Sequence, residues 1–221
     1  DALGRRTVVT DADALVTHYT YDGLNRLLEI QYPDATVEYA YDALGRRTTM
    51  TDTSGVTSYT YDDLGRLLRV EDPFTGTVEY AYDLTGNRVA LTVTTPNHAS
   101  RVTYYAFDAD NRLIQVTDWA TGTTTYTYDS AVRLSAVTLP NGVVTTHSYD
   151  PAGRLTALTH TKDGMVLSSY HYVLDDVGNR AQVTETVSGV TRVISYTYDD
   201  LYRLTAADYS TGENYAYQYD P

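Results

Sequence analysis

An aspartate followed four or five residues later by an arginine recurs along the whole chain, and such a pair could do chemistry. A carboxylate beside a guanidinium can serve as a general acid or base, and carboxylates in a row can ligate calcium. The aspartates are Asp1, Asp22, Asp42, Asp62, Asp83, Asp108, Asp129, Asp150, Asp175, Asp199 and Asp220, spaced by 20 or 21 residues and by 24 or 25 in three places. A fixed period in that range marks an array of structural units. The motif is aromatic-x-Tyr-Asp-x-x-Gly-Arg-Leu. Its members are Tyr21, Asp22 and Arg26; Tyr41, Asp42, Gly45 and Arg46; Tyr61, Asp62, Gly65 and Arg66; and Tyr82, Asp83 and Arg88. Further along come Asp108 and Arg112; Tyr128, Asp129 and Arg133; Tyr149, Asp150, Gly153 and Arg154; and Tyr198, Asp199 and Arg203. Catalysis needs one special constellation, and ten in-phase copies argue instead for a scaffold. In that reading each Asp caps a turn and pairs with its Arg, and the Arg lies over a neighbouring Tyr ring, a contact worth about 0.5–2 kcal/mol.

Other candidates are weaker. Asp11 with Asp13, and Asp108 with Asp110 and Asn111, alternate oxygen ligands, yet neither continues to the Gly and bidentate Glu of a helical calcium loop. His18, His98, His147, His160 and His171 form no HExxH pair, and His147 stands where other repeats have Tyr. There is no GxSxG elbow, Walker loop or dinucleotide glycine fingerprint. Cysteine is absent, so no disulfide or thiolate site is available. No catalytic residue, cofactor or metal is therefore assigned, and the chain reads as non-enzymatic.

The elements that place these residues alternate with period two. Leading into each Asp are Tyr19 and Tyr21, Tyr39 and Tyr41, Tyr59 and Tyr61, with small residues Thr20, Ala40 and Thr60 between them. Thr, Val and Tyr in alternation suit a half-buried strand. Leaving the motif, Ile30, Met50, Val70, Val116 and Val137 alternate with polar or small residues, which predicts a second strand. Gly or Asn at the third position after Asp accepts positive φ and predicts a tight reversal between the two. Val132 and Tyr202 break that rule and predict a different or strained turn, and Gly86-Asn87 and Gly178-Asn179 read as longer versions. The stretches from Thr94 to Arg101, from Thr159 to Met165 and around Thr186 to Thr191 read as surface insertions. The predicted fold is all-β: tandem antiparallel hairpins, two strands per repeat, in one array over 1–221. Some twenty strands make a strip about 95 Å wide, which must curl or spiral instead of staying flat.

The net charge is −13, and ten of the 16 basic residues are the repeat arginines, already matched to aspartates. That balance disfavours nucleic acid and anionic membrane surfaces as partners. No run of 18 apolar residues is present to insert in a membrane as a helix. Tyrosine is in excess, 23 residues against two Phe and one Trp, because seventeen of them fill two positions of the repeat.

The copies YTYDGLNRLLEI from Tyr19, YAYDALGRRTTM from Tyr39 and YTYDDLGRLLRV from Tyr59 resemble the YD-repeat family of Rhs proteins, Tc toxin shell subunits and teneurins. The resemblance covers essentially the whole chain. It implies a structural segment of a hollow, secreted or cell-surface β-shell that encapsulates a cargo, typically the toxic C-terminal part of the same polypeptide. The implied partners are flanking repeats and sealing domains of that polypeptide, the cargo and a delivery machine. Some relatives end their shell in a self-cleaving region with a DPxGL-type stretch. Asp72-Pro73, Asp150-Pro151 and Asp220-Pro221 share only its dipeptide, so that activity is not carried over. The chain opens one residue inside a repeat and stops just inside the next, which reads as a stretch of a longer array. Closed on itself, a 95 Å strip is a tube only about 30 Å across, too narrow for a folded cargo with room to spare, so the expected role is part of a wall. The alternative is a cell-surface adhesion or carbohydrate-binding module, in which exposed Tyr rows stack on sugars.

Overall fold

A computed structural model describes residues 1–220. Twenty strands and no helix occur among them, in two compact units, Asp1–Tyr105 and the residues from Ala106 onward. The first unit carries β1 (Val8–Thr10), β2 (Val16–Tyr21), β3 (Leu27–Gln31), β4 (Thr36–Tyr41), β5 (Arg47–Asp52), β6 (Gly55–Tyr61), β7 (Leu67–Asp72), β8 (Gly76–Tyr82) and β9 (Arg88–Thr94). It also holds the paired part of β10 (Arg101–Phe107). The second carries β11 (Leu113–Thr117), β12 (Thr123–Tyr128), β13 (Leu134–Thr138), β14 (Val143–Tyr149) and β15 (Leu155–Lys162). It continues with β16 (Met165–Leu174), β17 (Arg180–Val187), β18 (Val190–Tyr198), β19 (Leu204–Tyr209) and β20 (Asn214–Ala216).

Within each unit every strand pairs antiparallel with the next, so both are simple meanders of hairpins. The two arms read around each Asp are the two strands of one hairpin, as in β2–β3, where Tyr19 faces Ile30 and Tyr21 faces Leu27. Each such hairpin slips register just before the turn, between Thr20 and Tyr21, Ala40 and Tyr41, or Thr60 and Tyr61. A bulge there re-aims the last Tyr.

The aromatic positions are half-buried and the small residues between them exposed. Full burial is rare: Thr57 in the first unit, and Val183, Ile194 and Ala207 in the second, are the buried residues among those described. Two of the three predicted insertions are in fact lengthened hairpins. Residues 159–165 are the ends of β15 and β16 around Asp163-Gly164, and 186–191 are the ends of β17 and β18 around Ser188-Gly189. Their Thr residues belong to paired strands, which is why β16 reaches ten residues. Only 95–100 is a true loop.

Candidate functional site

The recurring turn is a five-residue reversal built on one carboxylate. In the copy at Asp62, the Asp62 amide donates to the Arg66 carbonyl at 3.0 Å and the Gly65 amide to the Asp62 carbonyl at 3.0 Å. Oδ1 of Asp62 accepts the amides of Leu64 and Arg66 at 3.0 and 2.8 Å, and Oδ2 accepts Nε of Arg66 at 2.6 Å. The same set recurs at Asp22, Asp42, Asp108, Asp129 and Asp199 with Arg26, Arg46, Arg112, Arg133 and Arg203, with Nε–Oδ2 distances of 2.6–2.8 Å. Asp150 and Arg154 pair alike at 2.7 Å.

Val132 and Tyr202 make this same turn. They sit at φ 65° and 61° where Gly45, Gly65 and Gly153 sit at 80°, 81° and 83°. The turn is thus conserved and the strain falls on the side chain, since a Cβ in the left-handed region crowds the carbonyl. The turns at Asp83 and Asp175 are of ordinary length as well, which corrects the reading of them as longer. Asn87 and Asn179 take the arginine's place and donate Nδ2 to the aspartate Oδ2 at 3.0 and 2.9 Å. Arg88 is therefore one position beyond its expected role, at the first residue of β9, and does not pair with Asp83.

Each arginine then reaches the next repeat. Arg26 lies over the Tyr41 ring, Arg46 over Tyr61, Arg66 over Tyr82, Arg112 over Tyr128 and Arg133 over Tyr149, all 4.6–4.8 Å from the centroid. Nη1 of Arg26, Arg46, Arg66, Arg133 and Arg154 donates to the carbonyls of Asp42, Asp62, Asp83, Asp150 and Asp175 at 3.0–3.2 Å. The tyrosine hydroxyls reach back: Tyr41 to the Leu27 carbonyl at 2.7 Å, Tyr82 to Leu67 at 2.9 Å, Tyr149 to Leu134 at 2.9 Å and Tyr198 to Arg180 at 2.9 Å.

These ties sit where the backbone pairing stops. Strands β3 and β4 pair only over Glu29–Gln31 and Thr36–Glu38, and the Tyr41–Leu27 and Arg26–Asp42 bonds close the gap toward the turns. The bulge supplies the geometry, because it swings the last Tyr away from its own hairpin partner and toward the previous one. Leu174, which stands in the place of that Tyr, has no hydroxyl to give.

With two amides on Oδ1 and a side-chain donor on Oδ2, the repeated carboxylates are spent on structure. The Arg26 amide is the strongest influence holding the Asp22 carboxyl below its usual range, and the corresponding arginine amide leads at Asp108, Asp129, Asp150 and Asp199. At Asp42, Asp62, Asp83 and Asp175 partial burial is the largest single influence and pushes upward, but the combined hydrogen bonds outweigh it. Asp72, on a reversal at the other end of the strands, is held at about 2 by the Thr75 amide, the Thr57 hydroxyl and the Phe74 amide.

Asp11, read as a calcium ligand candidate, caps a turn of the same design through the amides of Asp13 and Leu15. Among the described residues no cluster of three or more His, Cys, Asp or Glu could hold a metal ion. His160 Nδ1 lies 2.8 Å from the Thr145 hydroxyl, while the buried Nδ1 of His147 has no hydrogen-bond partner among the described residues. A recess lined by Glu185, Val187, Val190 and Arg192 contains an ion pair already closed at 2.7 Å.

Sequence reasoning missed the tyrosine hydroxyl ties and a second rank of arginines. Arg47 lies between the rings of Tyr39 and Tyr59, Arg88 between those of Tyr80 and Tyr105, and Arg180 over Tyr172. The signal was present: Arg occurs five residues after Asp at these places and Leu at Leu27, Leu67, Leu113, Leu134, Leu155 and Leu204.

The RHS Repeat family model matches residues 1–37, 61–100 and 133–164. The chain carries RHS repeats. No curated protein sequence matches it significantly. Among solved structures, this RHS-repeat chain is similar to the TcdB2-TccC3 crystal structure, with 17% identity over 90% of this chain and 16% of that one and a TM-score of 0.41. It is similar to a Tc holotoxin pore of Photorhabdus luminescens, with 18% identity over 90% and 16% and a TM-score of 0.40. A porin-like protein of Bacteroides uniformis gives 12% identity over 94% and 91% and a TM-score of 0.36. The RHS-repeat chain thus spans about a sixth of the length of the two Tc chains. Such scores add nothing to the fold read directly from the strands.

Proposed function

We propose that this chain is a non-enzymatic stretch of wall in a hollow RHS-repeat shell. The shell encloses a cargo, typically the C-terminal part of the same polypeptide, until an export or delivery machine releases it outside the cell. Flanking repeats and sealing domains complete the container. The observation that carries this reading is the uniform use of the repeat's reactive side chains. Asp, Arg and Tyr, the groups with which a site could be built, tie one hairpin to the next in copy after copy. A protein that repeats one fastening is making area, and area is what a wall needs.

The reading as an adhesion or sugar-stacking module draws less support. The Tyr rings before Asp42, Asp62, Asp83, Asp129 and Asp150 are covered by guanidinium groups and their hydroxyls are engaged, so few of those faces are left for a pyranose. Limited proteolysis of the parent polypeptide tests the wall. The region beyond the repeats should resist cleavage under native conditions and become sensitive once denaturant opens the strands. Ready digestion of that region in the folded protein would overturn the proposal, and binding on a glycan array would favour adhesion.

A further inference from the structure

The second rank of arginines has a feature that the first lacks. Arg26, Arg46 and Arg66 each hold a carboxylate, whereas Arg6, Arg47 and Arg88 make no ion pair among the described residues and are exposed. They are 41 residues apart, with Leu27 and Leu67 at the same position of the intervening repeats. Arg47 opens β5, Arg88 opens β9 and Arg6 just precedes β1, so successive guanidinium groups are four strands, roughly 19 Å, apart.

Two of the three are braced. Arg47 is 4.6 and 5.7 Å from the Tyr59 and Tyr39 centroids, and Arg88 is 4.9 and 5.9 Å from those of Tyr105 and Tyr80. A guanidinium stacked between rings has its faces occupied while the N–H donors on its rim stay free. That is the presentation that suits a planar carboxylate, which takes two parallel hydrogen bonds from the fork.

The opposite face of the same unit has the contrary charge. Glu29 and Glu38 stand directly across from each other, and Glu71 and Glu79 share Arg69 at 3.1 and 3.0 Å. In a chain of net charge −13, the face holding the tyrosines therefore carries the unpaired cations of this unit.

We propose that the aromatic face of the first unit docks an acidic polypeptide segment, whose carboxylates engage Arg47 and Arg88, with Arg6 extending the track. An extended segment rises about 3.3 Å per residue, so carboxylates about six residues apart meet successive arginines. The inference stands independently of whether the wall encloses a cargo.

Leu occupies this position in six other repeats, so Arg47→Leu and Arg88→Leu are changes the fold already accommodates. The test is fluorescence anisotropy of a labelled oligoglutamate of about twelve residues with the full chain, long enough to span all three sites. Binding is expected at about 20 mM salt and should weaken steeply at about 300 mM. The double variant, with an unchanged circular dichroism melt, should bind about tenfold more weakly, while Arg69→Leu on the other face leaves binding intact. Absence of binding at low salt, or equal affinity in the double variant, would overturn the proposal. So would displacement of the peptide by inorganic phosphate at the same concentration of charge, which would mark a general anion site.

Discussion

The hairpins around Asp42 and Asp62 and the long strands β17 and β18 solve one problem in two ways. A single layer of strands has little interior, so something other than a thick core must hold neighbouring hairpins together. Near Asp42 and Asp62 the fastening is polar and lies at the turn: an aspartate cap, an arginine bridge and a tyrosine hydroxyl, with only Thr57 buried nearby. In β17 and β18 the strands lengthen to eight and nine residues, and Val183 and Ile194 face each other as a buried apolar pair. Where the strand is short the side chains extend the pairing, and where it is long the backbone and an apolar contact carry most of it, with the Tyr198–Arg180 tie left at the strand end. Edge fastening depends on charge and middle fastening on area removed from water.

Acid should separate the two most widely. The ladder carboxyls from Asp22 to Asp199 titrate below their ordinary value in the folded protein, so the stability they contribute is complete above about pH 4 and is lost as pH falls through their lowered range. For Asp72 that loss runs from about pH 4 down to about 2. Hydrogen exchange, corrected for its intrinsic pH dependence, should show the turn amides of Gly45 and Gly65 opening while the β17–β18 amides stay protected. Simultaneous opening would erase the distinction.

Ile194→Ala attacks the other side. Ile194 is 5% exposed, and truncation should cost about 2–4 kcal/mol, read as a lower denaturation midpoint with lost protection in β17 to β19. Arg66→Ala should cost less, about 1–2 kcal/mol from the ring contact and the bond to the Asp83 carbonyl. Its loss of protection should stay at the β7–β8 boundary, because each repeat touches mainly its neighbours. If Arg66→Ala unfolds the chain globally, the polar fastening is the more cooperative of the two.

Much of this was legible in the residues. The Asp–Arg offset of four is fixed by a five-residue turn, and alternation of Tyr with Thr or Ala states which side chains share a face. The substitution of Asn87 and Asn179 for Arg was hidden because an Arg follows immediately, so the motif seemed stretched by one. Strands 159–165 and 186–191 passed for insertions because Thr-rich ends with a Gly resemble loops, and only pairing across the hairpin distinguishes them. The hydroxyl ties were beyond reach, since they depend on a register slip that spacing alone does not reveal. Val132 marks the limit of propensity: cap and arginine together hold it at positive φ. Val132→Gly should therefore stabilise by about 0.5–1 kcal/mol, the smallest effect here, measured as a rise in melting temperature.

The tie from each tyrosine to the hairpin before it has a mechanical consequence. A force pulling the strip apart at right angles to its strands must break the backbone bonds and the Tyr–carbonyl and Arg–carbonyl links together at each boundary. Rupture then proceeds one hairpin at a time, each releasing 20 to 25 residues and lengthening the chain by roughly 60–75 Å. At the boundary before Leu174, which lacks the hydroxyl, the long pairing of β15 with β16 and the Arg154–Asp175 bond carry that load instead.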